Sequence, residues 1–233
     1  MSYAKTPKTF SEQSTKNTSW GSQVVISRSC IHESSGRKLL KRHNQRCREC
    51  KVRIEELLIQ IYGEVKPNYN LKIPAKPEDY LGSVYSKDLD AIHTELQEHQ
   101  GYKNFVRVKN YIAPVDFYVP KPGLIVEFDE SQHFTAPRKK ALSLYPKDLE
   151  LGFDRDRWQD LCDIENKHDD EPPFRDEQRA WYDALRDFAP VLLGIKPTIR
   201  LYARDYAWCS LDSIEVTDQE LFKQLLSGNN VKT

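Results

Sequence analysis

Hydrophobic residues between positions 46 and 63 repeat with the spacing of one face of an α-helix. They follow an i, i+3, i+4, i+7, i+8 pattern, and Gly63 then provides a natural C-terminal cap. A projection at about 100° per residue puts Glu55 at the border of the apolar stripe and Glu56 on the side that faces water. The apolar positions are Ile54, Leu57, Leu58, Ile61 and Tyr62.

The middle of the chain has strand character. Residues 105–108 form a first apolar run, residues 115–119 alternate apolar and polar side chains, and residues 124–129 form a third run. Between the last two runs, Pro122-Gly123 suits the centre of a type II turn. We therefore expect residues 115–119 and 124–129 to pair as adjacent antiparallel strands.

The remaining elements continue an alternation of helices and strands. A polar helical run covers residues 87–97, and a second amphipathic helix covers residues 176–189 and ends at Pro190. Residues 191–194 and 198–202 are strand-like. This order predicts an α/β fold with a central mixed β-sheet flanked by helices.

Composition divides the chain into regions. Residues 1–24 are rich in Ser, Thr, Lys and Asn, and their few apolar side chains cannot offset the entropy of ordering, so we expect a flexible tail. Residues 25–53 form a basic arm, and residues 46–233 form the main domain. Within that domain, insertions are expected at about residues 64–100 and 138–173, where Pro and Gly interrupt the pattern.

No stretch of the chain reaches the roughly 20 apolar residues of a membrane-spanning helix, and the N-terminus lacks the apolar core of a signal peptide. Five cysteines at irregular positions among 233 residues are typical of reduced thiols or metal ligands. We therefore expect an intracellular, cytoplasmic protein with no membrane partner. A homodimer remains open.

Charge is unevenly distributed, although the formal net charge is zero. Residues 37–53 carry eight Lys/Arg against one Glu, whereas residues 148–187 carry fourteen Asp/Glu against six Lys/Arg. Such a separation favours a polyanionic partner at the basic face. The alternative is that the two regions pair with each other in the fold.

Acidic residues cluster on the predicted hairpin. Because alternate side chains of a strand share a face, Glu127 and Asp129 point to the same side, and Asp116 can approach Glu127 across the ladder. Converging carboxylates repel each other unless a cation neutralises them, and oxygen ligands suit Mg²⁺ or Mn²⁺, which activate water for attack on phosphate esters. The alternative is a half-exposed hairpin whose polar face happens to be acidic.

An Asp followed by a turn and a Glu-x-Asp, as in Asp116 and Glu127-Phe-Asp129, resembles the active-site motif of the PD-(D/E)xK, or restriction-endonuclease-like, nuclease superfamily. The fuller run through Gln132-His133 resembles the branch of very-short-patch-repair endonucleases. The resemblance takes in about half of the chain and implies a restriction-endonuclease-like core with insertions.

The resemblance also implies roles for individual residues. Asp116 and Glu127 would bind Mg²⁺ together with the backbone carbonyl of Phe128, and Glu55 would be an auxiliary acid from the first helix. In-line attack of water on the phosphate would leave a 3′-hydroxyl and a 5′-phosphate.

The lysine of the common motif is missing, because this sequence has Asp129 at the position where most of the superfamily has Lys. That lysine helps to orient or activate the attacking water, so its role must pass to another group or be absent. Gln132 and His133 are the candidates, since a neutral histidine can accept a proton near pH 7. The alternative for His133 is a strand-end histidine held by hydrogen bonds.

Two cysteine motifs lie before and at the start of the first helix. Cys30-x-His32 and Cys47-x-x-Cys50 together offer four side chains of types that bind Zn²⁺, and His43 is a substitute ligand. The alternative is that Cys47 and Cys50 belong to the apolar stripe of the helix, since buried reduced cysteines are common.

Two groups of basic residues are candidates for contact with DNA phosphates. The basic arm is the stronger candidate, because its position before the first helix lets it follow a backbone outside the active cleft. The second group lies on the second amphipathic helix, where pairing with Asp183 and Asp187 is the alternative. The residues are Arg37, Lys38, Lys41, Arg42, Arg46 and Arg48 in the arm and Arg175, Arg179 and Arg186 on the helix.

The sequence therefore favours a Mg²⁺-dependent DNA endonuclease of restriction or repair type. One alternative is a non-catalytic nucleic-acid-binding protein on a degenerate nuclease fold, which the missing lysine prompts. Another is a nuclease specific for RNA or for branched or mismatched junctions.

Overall fold

The computed structural model describes residues 45–227, which contain six helices and four strands. Short 3-10 turns are formed by Pro77–Tyr80, Ser131–His133 and Trp208–Ser210. In chain order, the helices and strands are α1 (Arg48–Tyr62), β1 (Lys66–Tyr69), α2 (Ser86–Gln100), β2 (Val115–Val119), β3 (Leu124–Asp129), α3 (Ala136–Ser143), α4 (Arg155–Glu165), α5 (Arg175–Leu193), β4 (Lys196–Tyr202) and α6 (Val216–Leu226).

The four strands form one sheet in the order β1-β2-β3-β4. β1 and β3 run antiparallel to β2, whereas β4 runs parallel to β3. A parallel pair requires a crossover connection, and α3, α4 and α5 provide it. The predicted α/β fold with a mixed sheet flanked by helices is confirmed.

Helices cover both faces of the sheet. On one face, α1 and α6 enclose a core with Phe117 and Val126, and on the other, α2, α3 and α5 pack around Ile125. Because successive strand residues point to opposite faces, Glu127 and Asp129 lie on the α5 side. The acidic face of β3 is therefore covered by a helix.

Local periodicity correctly predicts α1, α2, β4 and the β2–β3 hairpin. Gly63 ends α1 with φ 84° and donates its backbone N–H to the carbonyl of Ile59 at 2.8 Å. In the hairpin turn, Gly123 has φ 80°, a conformation that glycine adopts without steric cost, and its N–H donates to the carbonyl of Val119. The pattern does not predict α6.

Residues 105–108 are not a strand, which corrects one expectation. Phe105 is fully buried, but this segment packs on the core as irregular chain. The strand that pairs with β2 is instead β1, which lies in the stretch expected to be an insertion. Burial and strand pairing are separate properties, and an apolar run alone does not distinguish them.

Pro190 does not end the second amphipathic helix, because α5 continues to Leu193 and includes residues expected to be strand-like. Proline has no N–H to donate to the carbonyl four residues before it, here that of Arg186. The hydroxyl of Thr198 donates to this carbonyl at 2.7 Å. A contact from β4 therefore replaces the missing helical hydrogen bond.

Residues 138–173 contain most of α3 and all of α4, and they contribute Leu142 and Trp158 to the core on the same face of the sheet as Ile125. Among residues 45–227, no helix is both long and apolar enough to cross a lipid bilayer. The predicted tail, residues 1–24, and residues 25–44 of the predicted arm lie outside the described residues.

Candidate functional site

Asp116 on β2 and Glu127 on β3 lie side by side. The backbone N–H of Asp116 donates to Glu127 Oε1 at 3.1 Å, and the N–H of Phe128 donates to Asp116 Oδ2 at 2.9 Å. Both bonds follow from the hairpin register, which pairs Phe117 with Val126. The fold thus brings together the two carboxylates, Asp116 and Glu127, that the sequence pattern predicts to lie close to each other.

Glu127 is only 4% exposed. Burial raises the pKa of its carboxyl to about 7, while Arg186 acts in the opposite direction and Asp116 adds to the rise. Arg186 compensates incompletely, since its Nε is 3.5 Å from Glu127 Oε2 and has no hydrogen-bond partner among the described residues. Glu127 is therefore a buried acid that further positive charge would stabilise.

Lys51 on α1 is the functional candidate that the sequence pattern missed. Its Nζ is 2.7 Å from Asp116 Oδ1 and 5.7 Å from the centre of the Phe128 ring, and its side chain is 42% exposed. Lys51 lies one helical turn before Glu55, so the two share a face of α1, and that spacing is the only signal in the sequence. We call Lys51, Asp116 and Glu127 the hairpin site.

Asp129 has different neighbours from the other two acids. Arg200 Nη1 donates to its two oxygens at 2.8 and 3.0 Å, and Trp158 Nε1 donates to Oδ2 at 2.8 Å. Arg200 reaches Asp129 because β4 runs beside β3. Asp129 is 1% exposed and both of its oxygens are held by these donors, whereas its catalytic role stays a prediction.

His133 is held by α5. Its Nδ1 is 2.8 Å from Asp183 Oδ2. Although burial disfavours the imidazolium, Asp183 and Asp129 together raise the pKa of His133 above its ordinary value. An imidazole whose protonated form is favoured is a poorer proton acceptor near pH 7, which weakens the predicted general-base role.

Gln132 and Glu55 are the remaining residues to which the sequence gives a catalytic role. Gln132 lies in the turn after β3, and its Nε2 donates to Glu130 Oε2 at 3.2 Å. Glu55 is half-buried on α1. The auxiliary catalytic roles of these two residues stay predictions.

Further carboxylates lie behind Asp129 on α5. Arg200 Nε donates to Asp187 Oδ1 at 2.8 Å, and Arg138 Nη2 donates to Asp187 Oδ2 at 2.7 Å. Although burial alone would raise it, His133 and Arg200 hold the pKa of Asp183 well below its usual range. We call this group the buried ion network, and its members are Asp129, Asp183, Asp187, Arg138, Arg200 and His133.

Two of the arginines predicted to contact DNA are engaged within the fold. Arg186 is 8% exposed, and its Nη2 donates to two backbone carbonyls of the loop before β2 at 3.2 and 3.3 Å. Arg179 donates to the carbonyl of Gln132 and to Asp169, both at 2.9 Å. These contacts hold the guanidinium groups of Arg179 and Arg186 against protein acceptors, and the contact of this helix with DNA phosphates stays a prediction. Arg175 is half-buried and donates to the carbonyl of Glu171.

Only the end of the basic arm is described. Arg46 and Arg48 are exposed at the start of α1. The other residues predicted to contact DNA from the arm, Arg37, Lys38, Lys41 and Arg42, lie outside the described residues, and their role stays a prediction.

Three cysteines converge at the start of α1 and could hold a metal ion. The sulfur atoms of Cys47, Cys50 and Cys209 lie within 4.8 Å of one another. Within residues 45–227, no other group of three or more His, Cys, Asp or Glu side chains has this arrangement. Cys209 was not predicted, because it lies far from the other two in the sequence. Of the predicted zinc ligands, Cys30, His32 and the substitute His43 lie outside the described residues.

The oxygen atoms of the hairpin site are of the type that a hard divalent cation prefers. Asp116, Glu127 and the carbonyl of Phe128 offer only oxygen atoms, which Mg²⁺ and Mn²⁺ prefer. The burial of Glu127 beside a second acid, with Arg186 no closer than 3.5 Å, is the observation that agrees with such an ion. Because Lys51 already pairs with one oxygen of Asp116, the ion would compete with this ammonium group.

A cleft of about 460 Å³ lies at the opposite end of β3, next to the hairpin turn. Tyr62, Leu124 and Lys196 are among its lining residues. It contains no residue of the hairpin site, so the carboxylate chemistry and this cleft are separate features.

No family model, no curated protein and no solved structure matches the chain in comparisons with known proteins. The likeness of the hairpin motif to restriction-endonuclease-like nucleases stays a prediction from the sequence. A functional assignment is therefore argued from the geometry of the hairpin site.

Proposed function

We propose that this protein is a metal-dependent endonuclease that hydrolyses DNA phosphodiester bonds on a restriction-endonuclease-like core. The observation that carries the proposal is the convergence of Asp116, Glu127 and Lys51 at one end of the β2–β3 hairpin. In metal-dependent phosphodiester hydrolysis, carboxylates hold the metal ion, and a nearby cation such as an ammonium group stabilises the negative charge that develops on the phosphate. The same proposal takes DNA as the partner and the cytoplasm as the location.

In this proposal, Asp116, Glu127 and the carbonyl of Phe128 hold Mg²⁺ or Mn²⁺. The bound ion would supply charge screening of the phosphate and a lower pKa for water. The backbone N–H groups that bind the two carboxylates fix their orientation, so both acids are positioned before substrate arrives. Arg186, behind Glu127, limits the cost of keeping that acid charged.

Lys51 takes the place of the missing motif lysine. Its ammonium group ends beside Asp116, and its exposed, flexible side chain can reach from Asp116 to a non-bridging phosphate oxygen. A positive charge aimed at that oxygen stabilises the transition state more than the ground state, because negative charge accumulates there during attack. Asp129 cannot provide this charge, and its own charge is balanced by Arg200.

Cleavage of supercoiled plasmid with Mg²⁺ or Mn²⁺ tests the proposal. We expect EDTA, Asp116→Asn and Glu127→Gln each to abolish cleavage, because each removes the ion or one of its ligands. The matched control is Asp156→Asn, which neutralises a carboxylate that is 86% exposed and outside the site. If Asp116→Asn and Glu127→Gln both cut like the wild type, the assignment of these acids is wrong.

The role of Lys51 has a separate test. Lys51→Met keeps the length of the side chain and removes its charge, so we expect kcat to fall by about 100-fold to 1,000-fold. Lys139→Met is the matched control, because Lys139 is also half-exposed, at 45%, and also pairs with an aspartate. Equal cleavage rates for the two variants would contradict the role, provided that both bind the DNA substrate.

One observation favours a second candidate function. Both oxygens of Asp116 already accept hydrogen bonds, from Lys51 and from the N–H of Phe128, as expected of a nuclease fold that binds nucleic acid without cleaving it. Retained DNA binding with no turnover under any divalent ion would favour this candidate. Parallel assays on duplex, single-stranded, mismatched and RNA oligonucleotides would distinguish a DNA nuclease from an RNA-specific or junction-specific one.

A further inference from the structure

Cys47 and Cys50 lie at the beginning of α1, and Cys47 is its N-cap residue. At this position, a side-chain oxygen commonly accepts a hydrogen bond from a helix N–H group. The side chain of Cys47 makes no capping bond, and its Sγ is 3.0 Å from Glu49 Oε2. The N–H of Cys50 donates to the carbonyl of Cys47 at 3.2 Å, which folds the Cys-x-x-Cys segment into one turn. Both sulfurs thus lie on the same side of this turn.

Cys209 reaches these two residues from the other end of the chain. It lies in the 3-10 turn Trp208–Ser210 after β4. Trp208 is fully buried, and its Nε1 donates to the carbonyl of Tyr202 at 3.1 Å, which fixes the turn against the end of β4. Because α1 packs directly on this turn, two rigid elements bring the third sulfur into place.

The spacing of the three sulfurs fits a thiolate metal site. They lie within 4.8 Å of one another, and tetrahedral Zn²⁺ with Zn–S bonds of about 2.3 Å separates its sulfurs by about 3.8 Å. Small side-chain rotations are enough to close this difference. Thiolates are soft ligands, so they select Zn²⁺ over Mg²⁺. No disulfide links Cys47, Cys50 and Cys209 to one another.

Cys162 on α4 shows what a purely packed cysteine looks like in this protein. It is buried in the core, and burial raises the pKa of its thiol to about 12. It belongs to no group of metal-ligating side chains within residues 45–227. Cys47 and Cys209 are only half-buried, and packing alone gives no reason for their sulfurs to meet that of Cys50.

We propose that Cys47, Cys50 and Cys209 provide three of the four ligands of a tetrahedral, structural Zn²⁺ ion that joins the start of α1 to the segment after β4. The ion holds together two parts of the chain that are more than 150 residues apart. Lys51 directly follows Cys50, so the same ion fixes the turn of α1 from which Lys51 reaches Asp116. The zinc site does not depend on the proposed nuclease activity, and its test requires no nucleic acid.

The test uses the full chain, purified without chelators. We expect about one zinc per chain by elemental analysis. After zinc is replaced by Co²⁺, we expect thiolate-to-cobalt charge-transfer absorption in the near ultraviolet and the visible bands of tetrahedral cobalt. The absence of both stoichiometric zinc and the charge-transfer bands in the wild type would overturn the proposal, and this measurement does not depend on the folding of any variant.

Two variants then test the ligands. Cys209→Ser removes one of the three thiolates, so we expect at least a tenfold weaker affinity for Co²⁺ and a weaker charge-transfer band. Cys162→Ser, the matched control, should keep the zinc content and cobalt spectrum of the wild type. Circular dichroism of both variants checks that they fold. Unchanged metal content and spectrum in Cys209→Ser would exclude Cys209 from the site.

Discussion

Two groups of carboxylates meet on β3, and the protein neutralises them in different ways. In the buried ion network, Asp129 receives two hydrogen bonds from Arg200 and one from Trp158. In the hairpin site, two residues earlier on the same strand, Glu127 accepts one backbone N–H, from Asp116, and its nearest guanidinium nitrogen, Arg186 Nε, is 3.5 Å away. Whether a carboxylate on this strand is available to bind a cation therefore depends on the hydrogen-bond donors fixed around it, and not on its charge alone.

The difference separates a structural group from a candidate chemical site. The network pairs its three aspartates with Arg138, Arg200 and His133, all inside the fold. The hairpin site keeps an acid with a pKa near 7 and a lysine that water can reach. We expect substitutions in the network to change the free energy of unfolding, and substitutions in the hairpin site to change catalysis.

Arg200→Met is expected to have the largest effect on stability. It leaves Asp129 and Asp187 buried without their main cation, so the free energy of unfolding should fall by about 3–5 kcal/mol. Urea unfolding followed by circular dichroism measures the change. Arg175→Met, a half-buried arginine on α5, is the control and should cost far less. A loss for Arg200→Met no greater than that of the control would contradict the comparison.

His133→Gln is expected to have a smaller effect that depends on pH. Asp183 and Asp129 face the imidazole and Arg200 lies behind them, and the net result is a pKa of His133 that is raised in the folded state. Its stabilisation is therefore fully present below the ordinary imidazole pKa and is lost as the pH rises through the folded-state value.

The measurement compares the unfolding free energies of the wild type and His133→Gln across pH. We expect the wild type to be more stable by about 1.5–3 kcal/mol at low pH, as for other hydrogen bonds to charged groups, and this advantage to shrink at high pH. An advantage that grows as the pH rises would show that the imidazole is stabilised in its neutral form.

Asp116→Asn is expected to have the smallest effect on stability. The ion pair with Lys51 is partly exposed, and asparagine keeps an oxygen for the N–H of Phe128. In EDTA, the free energy of unfolding should therefore change by no more than about 0.5 kcal/mol. A loss comparable to that of Arg200→Met would place Asp116 in the structural group and remove the distinction between the two sets of acids.

The sequence by itself determined the features that depend on neighbours a few residues apart. The helical repeat of Ile54 and Leu58 predicts α1, and the two-residue period of strands with the turn at Gly123 predicts the hairpin that pairs Asp116 with Glu127. These features depend on local periodicity and turn residues, and both are visible in the amino-acid sequence. Their limits appear at Pro190, where a contact from β4 maintains a helix that the local pattern ends.

Only the tertiary structure decided which partners those residues meet. Asp129 is neutralised because Arg200, 71 residues away, arrives on the parallel strand β4. Lys51 joins Asp116, and Cys209 joins Cys50, because α1 docks between the hairpin and the turn after β4. Contacts across such separations depend on how whole elements pack, and the local spacing of residues does not specify which partners meet.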